Sequence, residues 1–260
     1  MEILEAILLG LVQGFTEFLP VSSSGHLEIG KYLFGINADS SLAFSVAVHG
    51  ATVLSTIIIF FSEIRKLIKG TLKFQLNEET DYVLKIFVSM IPVLIVGLFF
   101  KDKVEACFNG NIRFVGAMLI ITSAMLAIST FIRKRDRKIN YIDAFIIGLA
   151  QAFAVIPGIS RSGATISTGL VLGNSPKNLA KFSFLMVLIP IIGANFIELL
   201  NGEFLNNQSV GVPAILAGFI SAFISGYLAC KWMIRIVQKG KLHWFALYCL
   251  ILGLVILIAV

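Results

Sequence analysis

Gln13-Gly14-Phe15-Thr16-Glu17-Phe18-Leu19-Pro20-Val21-Ser22-Ser23-Ser24-Gly25-His26 interrupts an otherwise apolar region with an amide, a carboxylate, three consecutive hydroxyls and an imidazole. The apolar runs beside it, 2–19 and 26–35, are each short for a bilayer span, which needs about 20 residues. The first is further broken by Gln13, Glu17 and Pro20. Together they suit a re-entrant helix–loop–helix hairpin. Such irregular backbone is tolerated at membrane depth only where protein buries it or where it lines a wet cavity.

Outward from this stretch, the whole chain has membrane composition. Of its 260 residues 57% are hydrophobic and 14% charged, against roughly 45–50% and about 25% in soluble domains. The mean hydropathy is +0.92. One integral membrane domain over 1–260 is expected. The start, Met1-Glu2-Ile3-Leu4-Glu5, lacks the basic region of a cleavable signal peptide. Cys107, Cys230 and Cys249 are odd in number and far apart, which disfavours a disulfide framework or a zinc site. The net charge of +6 is expected to report topology, not nucleic-acid binding.

Full spans are predicted at 42–62, 84–100, 112–132, 179–200, 212–231 and 244–260. A second hairpin is predicted from 142–156 and 160–173, around a Pro-Gly-Ser turn. The class is therefore all-α, six transmembrane helices plus two re-entrant hairpins. Basic residues gather after the first, third and fifth spans: Arg65, Lys66, Lys69 and Lys73; Arg133, Lys134, Arg135, Arg137 and Lys138; Lys231, Arg235, Lys239 and Lys241. The loop between spans four and five carries Glu198 and Glu203 and no basic residue. The positive-inside rule puts the basic loops in the cytoplasm. The first hairpin then enters from outside and the second from the cytoplasm.

The two hairpins are related. At an offset of 138, Ala6, Gly10, Leu11, Gln13, Phe15, Ser22, Ser24, Gly25, Gly35, Phe44 and Ser45 recur as Ala144, Gly148, Leu149, Gln151, Phe153, Ser160, Ser162, Gly163, Gly173, Phe182 and Ser183. Repeats of about 1–132 and 139–260 in opposite orientation would form an inverted-topology repeat, whose broken elements meet near the midplane.

Ionisable groups at that depth are functional candidates by default. Glu17 is one and Arg161 another, at nearly equivalent places in the two halves. A structural ion pair would explain these two alone, but not Ser23, His26, Ser160, Ser162 and Thr165 beside them. Arg161 presents a planar fork suited to phosphate oxygens. Ser-Gly turns opening helices, with Ser22, Ser24, Gly25, Ser160, Ser162 and Gly163, aim backbone N–H groups at an anion. The pattern reads as a phosphate or diphosphate cradle. Glu17 can hold a divalent metal or take a proton, and Gln13, at i−4, shares its helix face. Ser23 or His26 could attack phosphorus while the other moves protons. No nucleotide phosphate-loop signature is present. Gln151 repeats Gln13. His49 reads equally as a bonded interior histidine or as support for the site. Ser45 and Ser183 either bond a helix carbonyl or line the site. Asn195 reads as helix–helix glue, and His243 as interfacial.

These residues resemble the undecaprenyl-diphosphate phosphatase family, also called bacitracin-resistance proteins. Gln13 to His26 fits its [E/Q]-x-x-x-E motif followed by P-V-S-S-[ST]-G-H, and Pro157 to Thr165 fits P-G-x-S-R-S-[GA]-x-T. The resemblance implies hydrolysis of undecaprenyl diphosphate to undecaprenyl phosphate and inorganic phosphate, which recycles the lipid carrier of bacterial cell-wall synthesis. It implies a multi-pass protein of the bacterial inner membrane with its site open to the outer, periplasmic side, and dependence on a divalent cation, Mg or Ca. Glu17 would then be the metal-binding or acid–base carboxylate, Ser23 a candidate nucleophile, His26 a catalytic imidazole and Arg161 the phosphate clamp. Gln13 and Ser45 depart from the pattern, standing where many members carry an acidic residue. Expected partners are the polyprenyl diphosphate, membrane lipids and, in a homodimer, a second copy of the chain. The competing class is a transporter or flippase of a phosphorylated polyprenyl lipid. That activity needs the cradle but no nucleophile or acid–base pair.

Overall fold

The computed structural model describes residues 1–36, 42–108, 110–132, 136–200 and 210–260, apart from the side chains of 42, 194 and 198–200. Arg133, Lys134, Arg135 and Glu203, used above for topology, lie outside these residues, as does the side chain of Glu198. Helices form the described fold: α1 Ile3–Phe18, α2 Ser23–Phe34, α3 Leu42–Ile59, α4 Phe61–Thr71, α5 Glu78–Phe99, α6 Lys101–Glu105, α7 Ile112–Phe131, α8 Tyr141–Phe153, α9 Arg161–Val171, α10 Pro176–Leu200, α11 Val212–Lys239 and α12 His243–Ala259. Among the described residues, β structure is limited to an isolated bridge between Arg137 and Asn174.

The all-α membrane class is as expected. Among the described residues four helices, α5, α7, α10 and α11, are long and apolar enough to cross a bilayer. A fifth candidate joins α3 to α4 across a 74° bend, so the end of the first predicted span is a turn at Phe60. α4 is a basic amphipathic helix in place of the expected polar loop. The sixth predicted span, α12, has 17 residues. α11 continues through Lys231 and Arg235 to Lys239; long basic side chains are good helix formers, and the helix ends only at Gly240, at φ 69°.

Polar residues between apolar runs start the helices. Asn77, Asn111 and Asn140 accept from the backbone N–H three residues on, at 2.8, 3.0 and 2.7 Å. Asn140 with Asp143 completes a capping box, as Glu2 with Glu5 does at α1. Asp143 is held further by Arg137 and Asn174, at 2.7 and 2.9 Å. This ties both ends of the second hairpin together.

Contacting pairs give the helix directions. Ser221 donates to the Ile7 carbonyl at 3.1 Å, and a Cβ on Gly14 would lie 2.0 Å from Ser225 Oγ. So α1 runs parallel to α11. Ser55 donates to the Phe223 carbonyl at 2.9 Å and Phe44 packs on Gly218, which makes α3 parallel to α11 as well. The Phe60 and Phe184 rings lie 6.2 Å apart and Gly50 faces Asn195, so α10 runs against α3. Tyr82 meets Phe182 edge-on, and Val93 and Pro190 line one cavity, so α5 follows α10. Tyr141 donates to Asp81 at 2.8 Å and Gly148 abuts the Ser89 carbonyl, so α8 follows α5. α1 and α8 therefore point in opposite directions. α7 and α12 are antiparallel, with Arg113 bonded to the Val260 carbonyl and Ser123 to that of Ala246, both at 2.6 Å.

The close approach of α1 to α11 and of α8 to α5 depends on missing side chains. A Cβ on Gly10 would lie 2.4 Å from the Gly218 carbonyl oxygen, and one on Gly148 would lie 2.2 Å from that of Ser89. In a membrane, where lipid tails are as apolar as leucine, such small-residue contacts supply much of the packing energy.

Candidate active site

Ser22 and Ser160 build the two hairpin turns in the same way. Each is an N-cap whose hydroxyl accepts from the N–H three residues on, Gly25 at 3.3 Å and Gly163 at 3.1 Å. Each hydroxyl also lies within 3.4 Å of the serine two residues on, Ser24 or Ser162. The turns touch. Gly158 N–H donates to Ser22 Oγ at 3.1 Å, Ser162 Oγ donates to the Leu19 carbonyl at 3.3 Å, and Gly25 packs directly on Gly158, at φ 94°. Thr122 braces the second turn from α7, accepting from Ser160 N–H at 3.1 Å and donating to the Gly158 carbonyl at 2.9 Å.

At this junction Glu17 is the hub. Its Oε1 accepts from Arg161 at 2.8 Å, and its Oε2 accepts from Ser23 Oγ at 2.6 Å and Gln13 Nε2 at 2.9 Å. His49 Nε2 stands 4.0 Å from Oε2, while its Nδ1–H donates to the Ser45 carbonyl at 2.8 Å. The Glu17 side chain is 8% exposed and that of Arg161 28%. Arg161 is thus partly exposed, and it lines both cavities that adjoin the pair. Ser23 O–H points into a carboxylate, the arrangement that activates a hydroxyl nucleophile.

Two cavities adjoin the hub. A small one of about 30 Å³ is lined by Glu17, Thr52, Thr56, Arg161, Ser162 and Ser183 together with apolar residues such as Phe18 and Phe184, and has room for a water. The larger, about 400 Å³, is lined by Ser24, Ser45, His49, Gln151, Arg161 and Asn195. Lys101 and Glu105 of α6 also line it and pair with each other at 3.3 Å.

Most residues singled out from the sequence converge here, with two exceptions. His26 is turned away: its Nδ1–H donates to the Ser22 carbonyl at 2.8 Å, and its Nε2 lies 2.7 Å from the Tyr248 hydroxyl on α12. Thr165 bonds the Arg161 carbonyl and Ser183 Oγ, at 2.9 and 2.6 Å, and so supports the start of α9 from behind. Asn195, read as helix glue, lines the larger cavity. Sequence reasoning missed Thr122, Tyr248 and Lys101. The hydroxyls of Thr122 and Tyr248 inside apolar spans were the available signal, and Lys101 carried none.

Among the described residues no three His, Cys, Asp or Glu side chains gather to hold a metal. Gln13, whose Nε2 donates to Glu17, also carries a buried Oε1 with no hydrogen-bond partner. One carboxylate with a neutral oxygen is a donor set that fits a hard cation shared with substrate phosphate oxygens. Gln151 Oε1 is orphaned in the same way, at the repeat-related position.

Residues 6–255 match the profile of the family described as Bacitracin resistance protein BacA. A protein of Bacteroides thetaiotaomicron named undecaprenyl-diphosphatase is 55% identical over 98% of both chains. One of the same name from Parabacteroides distasonis is 54% identical over 96% of both. Another, from Methanococcus vannielii, is 41% identical over 98% of this chain and 99% of its own.

Proposed function

The chain belongs to the bacitracin resistance protein BacA family, and from that premise we propose that it is a multi-pass membrane phosphatase. It hydrolyses undecaprenyl diphosphate to undecaprenyl phosphate and inorganic phosphate and so recycles the cell-wall lipid carrier. The single observation that carries the chemistry is the Glu17 carboxylate, which holds the Ser23 hydroxyl on one oxygen and Arg161 on the other.

The diphosphate enters the larger cavity with its terminal phosphate on Arg161 and the N–H groups opening α2 and α9. Ser23 Oγ attacks that phosphorus while Glu17 accepts its proton. The bond from phosphorus to the bridging oxygen breaks, and the lipid leaves as the monophosphate. Glu17 gives up that proton to the departing lipid phosphate, then takes another from the water that attacks the phosphoserine and returns it to Ser23 Oγ as the bond from phosphorus to Oγ breaks. This second step releases inorganic phosphate. His26 bonds to Ser22 and Tyr248, and serves as a positioning residue that fixes the turn carrying Ser23. Glu17 and Gln13 Oε1 would hold a divalent cation, Mg or Ca. Such an ion neutralises phosphate charge when bound.

The site belongs on the outer face of the inner membrane. The basic ends of α4 and α11 support a cytoplasmic placement for those ends. The larger cavity lies at the far end of α5 and α10, which run against α11. Six spans, with the α1–α2 and α8–α9 hairpins re-entrant from opposite faces in an inverted repeat, accommodate these directions. A lipid transporter would need the cradle but not a carboxylate-bound hydroxyl.

The test is phosphate release by purified protein in detergent, with and without chelator, comparing a polyprenyl diphosphate with a soluble diphosphate. Release from the lipid substrate is expected. Lipid movement across a bilayer with no phosphate released would replace this reading with the transporter.

A further inference from the structure

A third cavity lies on the other side of the first hairpin. It measures about 720 Å³ and is lined by Thr16, Leu19 and Val21 of the hairpin and by α11 and α12. Residues 16–21 thus form one wall between two spaces, because Glu17 and Phe18 line the small cavity beside Arg161. Three cations, Arg235, Lys239 and Lys241, line the third cavity, and none of its lining residues is acidic. Arg235 and Lys239 sit one turn apart on α11, and Gly240, in the left-handed region, turns Lys241 back toward them. Among the described residues Arg235 and Lys241 form no ion pair with an acid. The chain's two tryptophans, Trp232 and Trp244, also line it, 54% and 62% exposed. Indoles favour head-group depth.

Cations at a helix C-terminus commonly answer the helix dipole, and that would account for Lys239 alone. It does not account for Arg235 a turn earlier, for both tryptophans, or for a concave space floored by Leu19, Val21 and Phe245. A basic pocket between membrane helices, apolar beneath and indole-rimmed, matches an anionic head group with its chain in the bilayer. We propose that this cavity binds the phosphate head group of a lipid monophosphate, at the membrane face opposite the larger cavity. Arg235 and Lys241 hold the phosphate, and Trp232 and Trp244 flank the first carbons of the chain. Tyr248 lines the same cavity and touches His26, so the occupant sits one contact from the turn carrying Ser23. This site is independent of whether the protein hydrolyses anything.

Both tryptophans report on it directly. Titrating the purified protein in detergent with farnesyl phosphate should give a saturable change in tryptophan emission. Farnesol and inorganic phosphate should give none at equal concentration. Arg235→Gln with Lys241→Gln should weaken the response by about tenfold or more, since charge-assisted bonds to phosphate are being lost. Lys66→Gln with Lys69→Gln, on the unrelated basic helix α4, should leave it unchanged. Arg161→Ala should also leave it unchanged, and loss there would assign the binding to the first site and overturn the proposal. An equal response to farnesol, to inorganic phosphate, or in the Arg235/Lys241 variant would overturn it too.

Discussion

The two hairpins share a scaffold and differ in chemistry. At repeat-related positions both carry the capping serine, the serine two residues on, the following glycine and a buried glutamine: Ser22, Ser24, Gly25 and Gln13 against Ser160, Ser162, Gly163 and Gln151. Where they diverge, the first has Glu17, Ser23 and His26, and the second has Val155, Arg161 and Ala164. What is shared makes the turn and orients backbone donors. What differs supplies a carboxylate and a hydroxyl on one side and a cation on the other. On the function proposed above, the two related elements are complementary halves of one site, joined by the Glu17–Arg161 pair.

The largest test of that division is on the first hairpin. Ser23→Ala and Glu17→Ala should each lower kcat for phosphate release by about 10⁴-fold or more, as removing a nucleophile or its base does. A Ser23→Ala enzyme within about a hundredfold of the parent would make water the nucleophile and Ser23 a positioning hydroxyl. Trapping with acid quench should show phosphoserine only in the parent.

On the second hairpin, Arg161→Ala should cost about 10²–10³-fold, the scale of one lost transition-state donor. Arg161→Lys should recover only part, because an ammonium lacks the planar fork. If the alanine variant unfolds in detergent while Arg161→Lys is folded and fully active, the pair is structural and the clamp assignment fails.

The shared scaffold should respond in stability. Ser22 Oγ accepts two backbone N–H groups, from Gly25 and Gly158, whereas Ser160 Oγ accepts one, from Gly163. Ser22→Ala should therefore cost about 2 kcal/mol and Ser160→Ala about 1 kcal/mol. Thermal unfolding in detergent measures the difference, and equal losses would mean the contact between turns contributes nothing. The smallest effect is expected from Tyr248→Phe, which removes only the bond to His26: about a tenfold loss in kcat or less, with KM unchanged. A loss as large as that of Ser23→Ala would place the imidazole in the chemistry.

Much of this was legible in sequence because apolar surroundings make polar residues conspicuous. Glu17, Ser23 and Arg161 stood out for that reason, and the structure brings them together. The Ser-Gly turns that open α2 and α9 were legible too, whereas the caps at Asn77, Asn111 and Asn140 came from the structure. Less legible were the ends of helices. Hydropathy finds where a chain leaves lipid, not where its helix stops, so α11 was expected to end at 231 and runs to Lys239. The bend at Phe60 has no glycine or proline to mark it. The partner of His26 was invisible because Tyr248 lies 222 residues away, at a distance no local pattern reaches.

The crossed packing of the hairpins bears on how the chain is made. α1 lies against α11 and α8 against α5, and Glu17 leaves the ribosome 144 residues ahead of its partner Arg161. At synthesis rates of roughly 5–20 residues per second that is a wait on the order of 10 s. During it, an incomplete hairpin with an unpaired carboxylate must be sheltered, by water at the bilayer surface or by the insertion machinery, until the second half arrives to close over it.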